Sequence, residues 1–229
     1  RTLSVTVTPA PAGSAVTASE SAATDAAASA PAGYDPSGLD GAVAAIGGDP
    51  WDQVAHVSAP GFLNQVTAGS GCPTLGSVNV GTAPSARSGL GVPGTTSDDV
   101  QTFAAQYNAI RIANCLPPVT RFVYDSCMEA RLFWMAESPS PDPLDAWGHI
   151  GTVRIDGVPS VGCDGNLAGG SGNTGATVAQ KWWDSTAHRA SLYRPGTSVA
   201  GVCIALAMTH GGIDEPYSFT RAAARWVTC

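Results

Sequence analysis

The sequence predicts an α/β domain over residues 98–229, with helices covering both faces of a small sheet, behind a long and largely irregular N-terminal extension over residues 1–97. Three observations predict it. Beyond residue 97, stretches of helical periodicity alternate with short apolar runs. Of the sixteen aromatic residues only Tyr34, Trp51 and Phe62 precede that point, so the earlier part lacks the material of a core. The six cysteines (Cys72, Cys115, Cys127, Cys163, Cys203 and Cys229) are even in number and widely spaced, the pattern of a disulfide framework.

The extension begins with residues 1–33, almost entirely Ala, Ser, Thr, Pro, Gly and Val, which reads as a spacer or an extended arm. Within it Thr2–Thr8 alternates Val with Thr or Ser and suits a short strand laid on another surface. Asp40–Ile46 and Asp52–Val57 read as short helical turns, with Trp51, Phe62 and Leu63 as apolar anchors. Cys72 is expected to staple this segment onto the domain; a flexible linker is the alternative.

Within the domain, Ser97 followed by Asp98 and Asp99 is a helix entry, because acids favour the positive end of the helix dipole. Phe103, Tyr107, Ile110 and Arg111 then recur at helical spacing until Pro117 and Pro118 forbid continuation. A second helix follows Tyr124-Asp125, with Cys127, Ala130, Leu132, Trp134 and Met135 on its apolar faces, and stops before Pro139. Gly148–Ile155 reads as a strand, and Gly162–Gly175 as a glycine-rich loop leading into a helix from Thr174 to Ser185. Val199–Met208 and Tyr217–Val227 read as strands; the first is nearly all apolar and is therefore expected at the centre of the sheet.

Composition excludes some partners. Eleven Lys and Arg against eighteen Asp and Glu give a net charge of −7, and Lys181 is the only lysine. No basic patch can neutralise a row of phosphates, so nucleic acid is not an expected partner. No run approaches the eighteen apolar residues of a transmembrane segment. Disulfides point to an oxidising setting, so the protein is expected to be secreted or extracellular, with association to the cell surface as a variant. A start at Arg1 without methionine fits a removed signal peptide or a trimmed chain. Richness in Ala and Gly with little Lys fits a high-GC bacterial gene.

Several motifs occur in a telling order. Tyr107-Asn108-Ala109-Ile110-Arg111 precedes Leu116-Pro117-Pro118, and Tyr124-Asp125 opens the next helix. Trp147-Gly148-His149 follows, then Gly165-Asn166-Leu167-Ala168-Gly169. Last come Trp182-x-x-Ser185-x-x-His188-Arg189 and Val199-Ala200-Gly201-Val202. Over residues 98–229 this series resembles the CAP superfamily (cysteine-rich secretory proteins, antigen 5 and pathogenesis-related protein 1), and within it the bacterial extracellular SCP-like branch. The resemblance implies a three-layer α-β-α sandwich and a cleft holding His149 and His188. The family's cleft commonly pairs two histidines with two glutamates and can take a divalent cation. Here Gly165 stands where the loop glutamate is expected, with Asp164 beside it, and Ser185 replaces the helix carboxylate, with Asp184 beside it. His149 and His188 alone are two ligands where zinc sites use at least three from protein, so Asp164 or Asp184 would have to swing in. No cofactor is required by this reading; a divalent cation is the one candidate.

The candidate cleft set is therefore His149, His188, Asp164, Asn166, Asp184 and Ser185, with no catalytic residue assigned. Ser185, three residues before His188, is expected to cap a helix end, because no Gly-x-Ser-x-Gly elbow surrounds it or Ser171. Trp182 and Trp183 lie about 100 degrees apart on a helix, so one is expected to pack on the sheet and the other to face the groove or the extension. Arg189 is expected to pair with Asp184 or Asp145. His56 and His210 are expected to face solvent, His210 in a hairpin turn with Gly211 and Gly212. Cysteine spacing allows fifteen connectivities. The favoured pairs are Cys163–Cys203 flanking the loop and central strand, Cys115–Cys127 across the proline turn, and Cys72–Cys229 by elimination.

Three functions compete. The first is a secreted binding or interaction module whose groove takes a lipid, glycan or protein. The second is an extracellular hydrolase using His149, His188 and a nearby carboxylate. The third is a structural subunit whose residues 1–97 hold it in a homo- or hetero-assembly.

Overall fold

Cap chemistry sets the helix boundaries in the computed structural model, which describes residues 71–229. Helix α1 (Ser97–Ala113) opens on a capping box in which Thr96 Oγ1 accepts from the Asp99 amide at 3.1 Å and Asp99 accepts from the Thr96 amide at 2.8 Å. It ends where Cys115 turns left-handed (φ 55°) and the Leu116 amide folds back onto the Arg111 carbonyl. Asp125 caps α2 (Ser126–Ala136) by accepting from the Cys127 and Met128 amides. Thr174 and Thr177 form the reciprocal cap of α3 (Gly175–Asp184).

The fold is mixed α/β, with a five-stranded sheet in the order β1-β2-β4-β5-β3. The strands are β1 (Asn79–Val80), β2 (Arg121–Tyr124), β3 (Asn166–Ser171), β4 (Val202–His210) and β5 (Phe219–Thr228). The apolar β4 is the middle strand, parallel to β2 and antiparallel to β5. Its alternation divides the core. Ile204, Leu206 and Met208 pack with Phe103, Tyr107, Val178 and Trp182 of α1 and α3. Ala205 and Ala207 pack with Met128, Leu132 and Met135 of α2. Period-two side chains reach opposite faces of a strand, so the two clusters lie on the two faces of the sheet.

Several expectations are corrected. Residues 148–155 make no sheet strand: they form an arm closed by single bridges, Ile150 with Thr152 and Val153 with Pro159. The glycine-rich stretch is not all loop, since Asn166–Ser171 pairs along β5. Side chains of α3 reach that edge: Trp182 Nε1 and Lys181 Nζ donate to the Leu167 and Gly169 carbonyls. The short β2 was not anticipated. Val80 of β1, ahead of residue 97, pairs with Phe122 of β2.

All three expected disulfides are re-paired. The bonds are Cys72–Cys115, Cys127–Cys163 and Cys203–Cys229, with Cα separations of 4.8, 5.1 and 5.2 Å. Antiparallel pairing of β4 with β5 sets Cys203 opposite Val227, beside Cys229, and so removes it from Cys163. Cys163 instead crosses the start of α2, its amide bonding the Cys127 carbonyl at 3.0 Å. The crossing needs Gly162 (φ 83°): a Cβ there would meet the Cys127 carbonyl oxygen at 2.4 Å. Cys115, taken up by Cys72, is in turn unavailable to Cys127.

His210 is also corrected. It ends β4 buried at 8% exposure, with Nε2 3.0 Å from the Asp99 carboxylate and its ring stacked on Tyr217, and it does not face solvent. A buried imidazole needs a polar partner, and the capping carboxylate of α1 supplies it. Thr2–Thr8, the turns at 40–46 and 52–57, Trp51, His56, Phe62 and Leu63 lie outside the described residues, as does most of the segment expected to hold an assembly. Among the described residues no helix is long and apolar enough to cross a membrane.

Candidate histidine site

His149 sits in the loop after α2, and its backbone is held from below. Arg131, fully buried on α2, donates Nη2 to the Gly148 carbonyl at 2.7 Å, to the His149 carbonyl at 2.6 Å and to Thr152 Oγ1. The turn requires glycine at 148 (φ 143°), where a Cβ would meet Thr152 Cγ2 at 2.6 Å. His149 Nδ1 lies 3.4 Å from Asp164 Oδ1, and both oxygens of that carboxylate accept from the Ile150 amide, at 2.9 and 3.1 Å. Burial acts to raise the Asp164 carboxyl. The hydrogen bonds from His149 and Ile150, with the charges of His149 and Arg131, outweigh it and hold the group below the ordinary carboxylate range.

His188 arrives from the other side. Ser185 ends α3 and caps the next turn, Thr186–His188, its Oγ accepting from the His188 amide at 3.5 Å. The chain then widens into a π-helical turn, Arg189–Tyr193, in which Ser191 Oγ donates to the His188 carbonyl and to Asn166 Oδ1. Asn166 in turn donates to the Ala224 carbonyl of β5 at 3.1 Å, so the edge of the sheet fixes the His188 turn. Burial, and then the charge of His149, push the His188 imidazole down to about 4. The two rings are thus close enough to feel each other's charge, and His188 is neutral at pH 7. Its Nε2 is buried without a hydrogen-bond partner among the described residues.

The structure brings together four of the six candidates: His149, Asp164, Asn166 and His188, the last two through Ser191. Ser185 supports them as a cap, as expected. Asp184 serves its own helix, exposed on α3 and accepting from Gln180 one turn back at 2.9 Å. Arg189 is not paired with Asp184 or Asp145 as expected: it donates to the Trp183 carbonyl and lies over the Trp183 ring at 5.3 Å, which places its cation on the indole face. Of the two tryptophans, Trp182 is buried against the sheet side of the core, while Trp183 packs edge-on against Tyr193. Arg131, Thr152 and Ser191 were missed. A charged residue on the apolar stripe between Met128 and Met135 is the one signal that pointed to Arg131.

A divalent cation fits this donor set poorly. His149 Nδ1 is turned to Asp164, and the Asp164 oxygens are engaged by Ile150 and His149. Among the described residues no group of three or more His, Cys, Asp or Glu could hold a metal ion.

Beside the site stands the 150–161 arm. Of nine exposed large apolar side chains among the described residues, Ile150, Val153, Ile155, Val158 and Val161 belong to it, so apolar surface is concentrated at this one place. The arm is rooted in the site through the Ile150 amide on Asp164 and through Trp134 Nε1, which donates to the Val158 carbonyl at 3.2 Å. Comparison of the chain with protein-family models, with curated proteins and with solved structures finds no match in any of the three.

Proposed function

We propose that the chain is a secreted binding module of CAP type, and that it takes a ligand with an apolar surface at the histidine site and its arm. The CAP assignment is supported by the order α1-β2-α2-β3-α3-β4-β5, by cores on both faces of the sheet as in a three-layer α-β-α sandwich, and by the meeting of the Asn166 and His188 motifs through Ser191. Secretion is supported by six cysteines joined in three disulfides. The observation that carries the binding reading is the arm, with five aliphatic side chains left in water and its Ile150 amide bonded to the Asp164 carboxylate that faces His149. Leaving them exposed forgoes about 25 cal/mol for every Å² that burial would remove from water, a driving force open to a partner. Isoleucine and valine offer no ring face for a sugar to stack on, so a lipid or protein ligand is favoured over a glycan.

The test is a double substitution, Val153→Asp with Ile155→Asp. Both side chains are exposed, so the thermal midpoint is expected to stay with the wild type. Retention on phosphatidylcholine vesicles, or of lipid co-purifying in native mass spectrometry, is expected to fall at least about tenfold, the loss of about 1.4 kcal/mol of burial. Equal retention by wild type and variant on every probe, glycans included, removes the reading.

The His149–Asp164 pair favours a second reading, an extracellular hydrolase. Asp164 would orient the ring through Nδ1 while Nε2 takes a proton from an attacking water. Hydrolysis of ester or peptide probes should then vanish in both His149→Ala and Asp164→Ala yet survive in the arm variant. Turnover unaffected by either site substitution would dispose of it.

A further inference from the structure

Arg131 belongs to none of the motifs that carry the family resemblance, yet it is the most costly residue to keep at this place. Its α2 neighbours Met128, Leu132 and Met135 are buried and apolar, and a methionine would fill the same volume. A fully buried guanidinium loses its hydration, a penalty of several kcal/mol that attraction and hydrogen bonds must offset. They offset it incompletely: Nε and Nη1 have no hydrogen-bond partner among the described residues. All the bonds recorded for the head group come from Nη2, and all go to the turn that carries His149. The orientation of the guanidinium therefore follows that turn at the expense of its own satisfaction.

We propose that Arg131 is the positioning residue of the histidine site, fixing the turn where the His149 ring and the Asp164 carboxylate meet. Three contacts do this together. Nη2 gathers the Gly148 and His149 carbonyls and Thr152 Oγ1, and Thr152 Oγ1 itself donates to the His149 carbonyl at 3.0 Å, which closes the turn on itself. The guanidinium lies over the Trp134 ring at 4.3 Å, so its plane is set by a side chain that also holds the arm through Val158. Its positive charge acts on Asp164, drawing the carboxylate to the place where it receives the Ile150 amide and faces His149 Nδ1. A lysine would supply a point charge without the guanidinium plane that lies on Trp134, so it could answer Asp164 but not tie the turn to that ring.

This inference deepens the binding reading and rests on it for its purpose, but its test needs no ligand. Wild type, Arg131→Gln and Arg131→Lys would be compared by ¹⁵N-edited NMR of the imidazole rings at a single pH of 8, together with amide hydrogen exchange. In the wild type the His149 ring is expected in one tautomer, with its proton on Nδ1 toward Asp164. Arg131→Gln should mix the tautomers, as Asp164→Asn does in parallel, and should speed exchange of the Ile150 amide by about tenfold, on the scale of one net hydrogen bond. Arg131→Lys should restore the tautomer but not the slow Ile150 exchange, a split that a purely structural role would not produce. A folded Arg131→Gln protein with wild-type ring signals overturns the proposal. If that variant does not fold, an Arg131→Lys protein unchanged in both readouts overturns it equally. Failure of the arm substitution to affect ligand retention would leave these ring signals untouched, so the two claims fall separately.

Discussion

Trp182→Ala is expected to cost about 3 to 5 kcal/mol of stability, the range for truncating a large buried aromatic. The indole is fully buried, with Phe103 edge-on at a centroid distance of 5.8 Å, so the alanine leaves a cavity at the junction of α1, α3 and the sheet. Its Nε1 also holds the Leu167 carbonyl at 3.1 Å, and one residue earlier Lys181 Nζ holds Gly169 at 3.0 Å. Strand β3 is an edge of the sheet, and these two side chains occupy carbonyls that would otherwise be open to another strand. The loss reaches the site, because β3 begins at Asn166, the residue that anchors the His188 turn through Ser191. Trp183→Ala is the control: it is half-buried, packs on Tyr193 and Arg189, and should cost about 1 kcal/mol, a typical value for a point substitution. Chemical denaturation with the disulfides intact, joined to amide exchange along Asn166–Gly169, separates the two. Equal midpoints for the two variants would show that the buried indole does not carry this junction.

What was legible in the sequence divides along physical lines. The three expected helices stand within about a turn of their expected bounds, because Asp125 and Thr174 announce themselves through local cap chemistry and Ser97 lies one residue past the true cap, Thr96. The central place of β4 was legible because a strand buried on both faces must be apolar throughout. What failed depends on partners distant in the chain. Strand β2 is four residues long with an exposed Arg121 at its start, and only its neighbours β1 and β4 make it a strand. β3 looked like a loop because of its glycines, and only its pairing along β5 makes it a strand, which no local pattern reveals. The arm looked like a strand because Val153 and Ile155 alternate with polar residues, but the alternation leaves the aliphatic side chains in water. Disulfide pairing follows the register of β4 with β5 and the crossing at Gly162, neither of which cysteine spacing encodes. The candidate site was half legible: the resemblance pointed to both histidines, Asp164 and Asn166, while it gave no sign of Arg131, whose bonds to Gly148 and His149 join residues far apart in the chain.

Asp99→Ala is expected to cost about 2 to 5 kcal/mol, because it removes at once the buried hydrogen-bond partner of His210 and the reciprocal cap of α1. Asp99 does two jobs with one carboxylate. It completes the α1 capping box with Thr96, and it meets His210 Nε2 at 3.0 Å where β4 ends, so it joins the first helix to the central strand. Burial works to raise its carboxyl, but the hydrogen bonds from His210 and Thr96 and the charge of His210 prevail and hold it below the ordinary value of 3.8. The sign of the pH effect follows. A group whose folded value is depressed stabilises the fold fully above its unfolded value and loses that contribution as pH falls through the folded one. Wild-type stability should therefore fall as pH drops below about 4, in part through Asp99. Asp99→Asn, of the same shape, should start less stable at pH 7 and lose less between pH 5 and pH 2. Its acid limb is expected to be flatter because no proton is taken up at this position on unfolding. The comparison is made by denaturant midpoints at each pH. Parallel limbs in wild type and Asp99→Asn would mean that the carboxylate is not held ionised by His210 and the helix cap, and that α1 and β4 are joined by packing alone.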